Sequence, residues 1–501
     1  MKLRTRVTEL PSPGPAVRPA RLKVSLGLLF VGAGALALWF LIGPTLGTGH
    51  YYGSLLNRST YGYNKPVMLL FVPYGLALFA WWRGSRVPVW GLFAGAVALH
   101  LLFLFPPPPQ SQDFYQYLFY GKMQALYHAN PYVVHPSVYY QNSWYALIRW
   151  PNQTSVYGPA WTAICALVAK VAGNNLPLAY VLLKLVVFGA DVSIMTMIVK
   201  ASKDRTDRDD AAGWGLLAYA WNPLILMTVP LGGMADVAIA AAFIGALLAR
   251  RRGRTGVATV LLTLASLIKV YAAIGLLLHL VLLARERKWK VASRHAAVAA
   301  ALAAAAYAPY WAGLKTFRAV LNVANLTNHS LMGTLQRLLV PVFQATGFAD
   351  PINDAAAAVR WLAAPLLLGV VIWTVAKVRS EPELWHGVLI VLAAYTYLTP
   401  WYLYWYIVAP LALVAVLPRN RLTAPLLTFS ATTLILVRFP PWLLGQVAQT
   451  LIRYVPPVFL FLRERDLPLI QPIPQLIRMP QPKPCHPRQA VHEAGRFVTM
   501  I

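Results

Sequence analysis

The sequence predicts an all-α, polytopic membrane protein with about 14 transmembrane helices and a large outer loop that carries interfacial or re-entrant helices. Of its 501 residues, 58% are hydrophobic and only 12% are charged, whereas soluble domains carry roughly 25% charged residues. Apolar windows of roughly 16 to 23 residues recur along the chain, as helical spans require. A backbone in lipid must satisfy its own hydrogen bonds, so we expect these windows to be helices.

The net charge of +28 predicts membrane orientation rather than nucleic-acid binding. Lys and Arg cluster in short loops between the apolar windows, for example at 250–254 and 285–290. This pattern is typical of cytoplasmic loops beside anionic lipid. Only two cysteines occur, Cys165 and Cys485, so we expect neither a disulfide framework nor a Cys-x-x-Cys motif.

The chain is expected to form one integral bundle at 24–462, between cytoplasmic tails at 1–23 and 463–501. The bundle includes two outer segments, a catalytic loop at 106–176 and a second segment at 312–360. We therefore predict a multi-pass protein of the plasma membrane with both termini in the cytoplasm. The predicted spans lie at about 24–42, 67–82, 89–105, 178–199, 214–229, 237–248, 257–269, 271–284, 292–311, 361–378, 386–398, 403–417, 422–437 and 442–462.

The apolar stretch at 158–173 is only about sixteen residues long, and a full span there would put the later basic loops outside. We interpret it as a re-entrant or membrane-surface helix of the outer loop, because irregular elements are tolerated at membrane depth where protein shelters them.

Asp113 precedes an apparent helix, FYQYLFYGKMQALYHA, at the start of the outer loop. A carboxylate there could act as general base on a sugar hydroxyl or could cap the helix, and the two roles are compatible. Tyr117 follows on the same helix, while Tyr132 and Tyr157 fall in the turns NPYVVHP and VYGP. These tyrosines either line a sugar pocket or belong to an interfacial aromatic belt and its turns.

Four further polar residues are candidates for substrate binding. Asp236 opens a helix after a glycine pair, as an N-cap or as a polar group facing a cavity. Lys269 lies in an otherwise uncharged stretch, where it would bind a phosphate or extend towards the interface. His329 and Arg337, in the second outer segment, could meet a lipid phosphate.

The sequence contains no His/Cys/Asp/Glu set at metal-ligand spacing and no GxxxxGK, GxSxG or HExxH motif. We therefore expect no cofactor and no metal site, while dependence on a divalent ion is left open.

An ordered set of short motifs carries a family resemblance. It resembles the glycosyltransferases of the GT-C fold, especially the bacterial and archaeal mannosyltransferases that depend on polyprenol phosphate mannose. The resemblance covers about 111–406. Its motifs are Asp113, Tyr117 and Gly121, Asn130-Pro131-Tyr132, Tyr157-Gly158-Pro159, Trp221-Asn222-Pro223-Leu224, Gly233 to Asp236, Lys269 with Tyr271, and Pro400-Trp401-Tyr402.

The resemblance implies a glycosyltransferase that moves a hexose, expected to be mannose, from a polyprenyl phosphate sugar to a lipid or glycan acceptor on the extracytoplasmic face. It implies that Asp113 is the base, and Lys269, with Arg337 or His329, would hold the phosphate. The chain departs from the family in having a single acid where some members have Asp-x-Asp, and in having two additional spans before the loop. The rival interpretations are a lipid-linked sugar flippase or other multispan transporter, which predicts pseudo-symmetric halves, and an envelope scaffold without a converging site.

Overall fold

The computed structural model describes residues 29–30, 32–34, 36–37, 70–104, 113–203, 207–323, 326–328, 330–437 and 445–470. Within these ranges every regular element is a helix, and strand pairing is limited to one isolated bridge between Ala312 and Leu314. The predicted all-α fold is therefore confirmed for the described part of the chain. Its α-helices are α1 Phe71–Trp82, α2 Val89–Leu104, α3 Asp113–Tyr127, α4 Pro159–Ala172, α5 Leu176–Ser202, α6 Arg208–Tyr219, α7 Pro223–Thr228, α8 Asp236–Arg251, α9 Thr255–Ser266, α10 Ala273–Arg285, α11 Trp289–Tyr307, α12 Arg318–Val323, α13 Leu331–Ala345, α14 Pro351–Lys377, α15 Glu381–Leu398, α16 Val408–Val416, α17 Thr423–Val437 and α18 Gln446–Arg463.

Three of the described helices are long and apolar enough to cross a membrane: Leu176–Ser202, Trp289–Tyr310 and Pro351–Lys377. They coincide with the spans predicted at 178–199, 292–311 and 361–378. The other apolar helices of the described ranges are shorter, and the total of about 14 spans stays a prediction. The first predicted span lies largely outside the described residues, as do the tail at 1–23 and most of the tail at 463–501.

Helix α8 lies at the centre of the bundle, where it packs against α5, α9 and α16. Its side chains are buried along most of its length, from Asp236 to Arg250. A helix that is apolar on all sides is typical of a position enclosed by other helices. The N-terminus of α8 therefore lies inside the protein, and Asp236 is its first residue.

Helices α3 and α4 of the outer loop pack along each other. A Cβ atom at Gly121 on α3 would lie 2.3 Å from the carbonyl oxygen of Cys165 on α4, so only glycine permits this approach of the two backbones. Helix α4 has 14 residues and ends at Ala172, just before Gly173; this length is too short for a bilayer crossing at 1.5 Å per residue. Its length agrees with the predicted re-entrant or surface helix, whose depth in the membrane stays a prediction.

The span predicted at 214–229 is divided into α6 and α7. The break falls at Asn222, whose side chain accepts a hydrogen bond of 2.9 Å from the backbone N–H of Leu224. Pro223, which has no N–H, occupies the first turn of α7. Hydrophobicity alone indicated one helix, but the Asn-Pro pair starts a second helix inside the apolar window.

Helix α14 begins at Pro351, ten residues before the predicted span at 361–378 and inside the predicted outer segment at 312–360. The Asp350 carboxylate accepts a hydrogen bond of 3.2 Å from the backbone N–H of Asn353 and caps the helix. An Asp-Pro pair is a typical signal for the start of a helix. The boundary predicted from the apolar window alone does not take this signal into account.

Candidate active site

Asp113 is the first residue of α3 and is partly buried. Its carboxylate accepts hydrogen bonds from the hydroxyl of Tyr157 and the indole N–H of Trp150. Burial raises the pKa of this carboxyl above the ordinary aspartate value, whereas the positive charge of Lys269 and the two hydrogen bonds lower it. These hydrogen bonds hold the carboxylate in one place, in a residue that is partly exposed as a whole.

The Tyr157 side chain, which bonds to Asp113, is held in place by two neighbouring tyrosines. The hydroxyl of Tyr132 donates a 2.7 Å hydrogen bond to the carbonyl of Tyr157 and lies 3.0 Å from the hydroxyl of Thr162. The ring of Tyr117 meets the ring of Tyr157 edge to face, with the centroids 4.6 Å apart. Tyr117, Tyr132 and Tyr157 are all buried, so the three rings pack inside the protein rather than at an open surface.

Asp236 and Lys269 form an ion pair beneath this loop. The Lys269 ammonium donates to Asp236 Oδ2 at 2.6 Å, and the hydroxyl of Tyr271 donates to Asp236 Oδ1 at 2.6 Å. The Asp236 side chain is fully buried, while 12% of the Lys269 side chain is exposed. Both oxygens of Asp236 are thus occupied, one by Lys269 and one by Tyr271.

The Lys269 ammonium lies between two aromatic rings, 5.7 Å from the centroid of Tyr157 and 5.3 Å from that of Tyr406. Aromatic faces attract cations electrostatically, so these rings and Asp236 hold the charge in place. Asp113, Asp236 and Lys269 together carry a formal charge of −1, and the charges of Asp236 and Lys269 both act on Asp113.

A backbone connection joins the Tyr157 turn to the Lys269 segment. The N–H of Gly158 donates to the carbonyl of Ile268 at 2.8 Å, and the N–H of Ala160 donates to the carbonyl of Leu267 at 3.1 Å. A Cβ atom at residue 158 would lie 2.1 Å from the carbonyl oxygen of Leu267. Glycine in the Tyr-Gly-Pro motif is therefore required by close approach of two backbones.

Two tryptophans from distant parts of the chain meet at the rim of the site. Trp150 of the first outer loop and Trp401 of the Pro400–Tyr402 loop have ring centroids 6.4 Å apart and planes at 69°. Trp150 is 38% exposed, and Trp401 is partly exposed. The rim therefore combines the N-terminal and C-terminal halves of the described chain.

Two buried polar residues of α5, Lys184 and Asp191, support the packing. The Lys184 ammonium donates to the carbonyls of Pro230 and Leu231, each at 2.6 Å, and so fixes the turn that leads into α8. Asp191 pairs with His100 of α2 and accepts a 3.0 Å hydrogen bond from Tyr219. Neither contact involves Asp113 or Lys269.

The predicted site residues divide into three groups. Six of them converge around the two aspartates: Asp113, Tyr117, Tyr132, Tyr157, Asp236 and Lys269. Arg337 lies on the exposed face of α13, and within the described ranges no contact joins it to the six. His329 lies outside the described residues.

Sequence reasoning missed Trp150, Tyr271 and Tyr406 as site residues. Tyr271 was marked only as the partner of Lys269 in a motif, and Tyr406 only as the end of the resemblance. Trp150 stands before Pro151 in a loop without periodic pattern, and no local signal connects it to Asp113. Among the residues that the structure describes, no group of three or more His, Cys, Asp or Glu side chains gathers.

Residues 24–285, slightly more than half of the chain, match the family model described as "Alpha-(1->6)-mannopyranosyltransferase, N-terminal domain". The match includes Asp113, Tyr157, Asp236 and Lys269 and ends before Trp401. No curated protein matches the chain.

Proposed function

The chain belongs to the alpha-(1->6)-mannopyranosyltransferase family, and from this premise we propose that it transfers mannose from a polyprenyl phosphate mannose donor to the 6-hydroxyl of a mannose-containing lipid or glycan acceptor. The convergence of Asp113, Tyr157, Lys269 and Asp236 supports this proposal most strongly. Transfer needs a base for the acceptor hydroxyl and a cation for the leaving phosphate, and both lie in this cluster.

Asp113 is the general base in this proposal. Asp113 is a partly exposed residue, whereas the side chain of Asp236 is fully buried and has both oxygens occupied. Only Asp113 can therefore come within hydrogen-bond reach of an acceptor hydroxyl. The hydrogen bonds from Tyr157 and Trp150 stabilise its ionised form and orient it.

Lys269 binds the phosphate of the donor. Its partly exposed ammonium is oriented by Asp236 and by two tyrosine rings, and a preorganised cation stabilises negative charge as the phosphate departs. Asp236 is a positioning residue that acts through Lys269. This role revises the substrate contact expected for Asp236 from the sequence. Tyr117 and Tyr132 support Tyr157 in the same indirect way.

The reaction is a single in-line displacement. The acceptor oxygen bonds to the anomeric carbon as its proton passes to Asp113, and the bond from that carbon to the phosphate oxygen breaks. The electron pair leaves with the polyprenyl phosphate, next to Lys269. Attack from the face opposite the phosphate inverts the anomeric carbon, so an α-linked product requires a β-linked donor.

We propose that this site faces the extracytoplasmic side of the plasma membrane and that both termini lie in the cytoplasm. The positions of the basic loops support this orientation, and the three span-length helices support a multi-pass protein of the GT-C type. A polyprenyl donor partitions into lipid, so membrane lipids are partners as well as surroundings of the enzyme.

The test is transfer of radiolabelled mannose from polyprenyl phosphate mannose to an α-mannoside acceptor in proteoliposomes. We expect wild type to form an α-(1→6) product and Asp113→Asn to lose on the order of 100-fold or more in rate. The matched control is Asp209→Asn, at an exposed aspartate of α6, which should retain full activity. Equal transfer by Asp113→Asn and wild type would remove Asp113 from the role. An absence of transfer by wild type with every polyprenyl-linked sugar would favour the transporter interpretation.

A further inference from the structure

We propose that Trp150 and Trp401 form the acceptor subsite of this enzyme and stack on a mannose residue of a glycan acceptor. The inference rests on the proposed transferase function and names the substrate class that the site receives. Trp401 lies beyond residue 285, where the family match ends, so this residue is assigned by the geometry of the described chain.

The position of Trp150 follows from its contact with the base. Its indole N–H donates to the carboxylate of Asp113, and an acceptor hydroxyl must reach the same carboxylate to be deprotonated. A sugar ring that carries this hydroxyl therefore has to lie against Trp150. Because 38% of Trp150 is exposed, part of its surface is open to such a ring.

The ring of Trp401 lies at a steep angle to the ring of Trp150 and forms the second side of the proposed subsite. The two ring planes meet at 69° with centroids 6.4 Å apart, so the tryptophans form a corner beside Asp113. A pyranose has an apolar face of C–H bonds and a rim of hydroxyls, and an aromatic face next to polar groups suits both. The exposed guanidinium of Arg149, 5.5 Å from the Trp150 ring, adds a donor for sugar hydroxyls.

Both tryptophans project from backbone that is held by amide side chains. The side-chain oxygen of Gln116 accepts a 3.2 Å hydrogen bond from the backbone N–H of Trp150, and its side-chain NH₂ donates a 3.3 Å bond to the backbone carbonyl of Trp150. The side-chain oxygen of Asn328 accepts a 3.1 Å hydrogen bond from the backbone N–H of Tyr402. The backbone N–H of Asn328 donates a 3.1 Å bond to the carbonyl of Pro400. Exposed aromatic side chains on such fixed backbone lose little conformational freedom on binding, which favours recognition of a ligand.

The choice of a glycan over a purely lipid acceptor follows from polarity. The Asp113 carboxylate and the Arg149 guanidinium place charged groups beside the corner. A hydrocarbon chain would remove water from these charged groups without bonding to them, whereas sugar hydroxyls can form hydrogen bonds with both. Acceptor recognition through the lipid alone is the competing outcome of the test.

The experiment compares steady-state kinetics of Trp401→Ala, Trp401→Phe and wild type with an α-(1→6)-linked mannoside as acceptor. We expect Trp401→Ala to raise the acceptor KM about tenfold, as loss of an aromatic anchor does. The donor KM and kcat should stay close to wild type, and Trp401→Phe should recover most of the loss. The matched control is Trp311→Ala, at a 62% exposed tryptophan that has no contact with the rim among the described residues; it should have the wild-type acceptor KM.

A second measurement separates this inference from the transferase assignment. The same mannoside is titrated against purified protein in nanodiscs without donor, with tryptophan fluorescence as the readout. Weaker binding by Trp401→Ala supports the subsite even if wild type transfers no mannose. Active wild type together with an unchanged acceptor KM and unchanged mannoside binding in Trp401→Ala would overturn the subsite and retain the enzyme. A loss of kcat that Trp401→Phe does not recover would also overturn it.

Discussion

The backbone N–H of Gly158 donates a 2.8 Å hydrogen bond to the carbonyl of Ile268. This bond joins the residue after Tyr157 to the residue before Lys269. The hydroxyl of Tyr157, which bonds to the proposed base, and the ammonium of Lys269, proposed to bind the phosphate, are therefore carried by hydrogen-bonded segments of backbone. A displacement of either segment moves both groups relative to Asp113.

Replacing Gly158 with alanine tests this connection. The new Cβ atom would lie 2.1 Å from the carbonyl oxygen of Leu267 and would push the two segments apart. We expect kcat to fall on the order of 100-fold, since small misplacements of catalytic groups have effects of this size. The control is Gly189→Ala in α5, where a Cβ atom meets nothing within 4 Å. Wild-type kcat in Gly158→Ala would contradict the connection.

The pair formed by Asp236 and Lys269 should be strongly coupled in stability. We expect Asp236→Asn to lower the free energy of unfolding by about 3 to 5 kcal/mol, because it leaves a largely buried ammonium without its carboxylate. Adding Lys269→Met to this variant should restore part of the loss in a double-mutant cycle read by thermal unfolding in detergent. The same cycle on the more exposed pair Arg419–Glu464 should give a coupling of about 0 to 1 kcal/mol. Equal coupling in the two cycles would contradict the buried arrangement.

The pH dependence of transfer should report on Asp113. Burial raises the pKa of its carboxyl above the ordinary value of 3.8. The base is active when ionised, so we expect kcat/KM to be high above this pKa and to fall as the pH drops through it. The midpoint should lie above 3.8.

Removing the hydroxyl of Tyr157 should shift the pH midpoint at which kcat/KM falls. Its hydrogen bond stabilises the ionised carboxylate, so Tyr157→Phe raises the pKa of Asp113 and shifts the midpoint to higher pH. Tyr140→Phe, at a tyrosine that is 65% exposed, should leave the midpoint unchanged. A shift to lower pH in Tyr157→Phe would show that Asp113 is not the group that titrates.

We predict that transfer does not require a divalent metal. The two oxygens of Asp236 are occupied by Lys269 and Tyr271, and the ammonium already supplies a positive charge between the ring faces. Dialysis against EDTA should therefore leave the rate unchanged, and added magnesium or manganese should not increase it. Loss of activity on chelation with recovery on adding one metal would refute this prediction.

The sequence predicts those features of the structure that depend on neighbouring residues in the chain. The helical class follows from apolar windows, and the start of α8 at Asp236 follows from the preceding glycine pair. The Asn222-Pro223 break and the early start of α14 at Pro351 also had local signals, which a search for apolar windows alone passes over. Local patterns therefore predict elements well when caps are included.

The site is harder to predict because its contacts join distant residues. The sequence identifies Asp113, Asp236 and Lys269 as candidates. Periodicity cannot show that Lys269 pairs with Asp236, nor that Asp113 is partly exposed while Asp236 is fully buried. The meeting of Trp150 with Trp401 depends on how two loops are placed by the whole bundle. Such pairings arise from tertiary packing, and a single sequence carries no local pattern for them.

Asn328 holds the Pro400–Tyr402 loop in place through hydrogen bonds. This loop and the proposed catalytic residues lie in different parts of the chain. The groups proposed for bond making and breaking are encoded before residue 285, within the matched family domain. Of the two tryptophans proposed to contact the acceptor glycan, Trp401 is encoded more than a hundred residues later, in a loop that Asn328 holds. Substitutions around Asn328 and Trp401 can therefore alter which glycan is extended while the transfer chemistry is conserved. We expect enzymes with this shared N-terminal domain to diverge in acceptor preference mainly through their C-terminal halves.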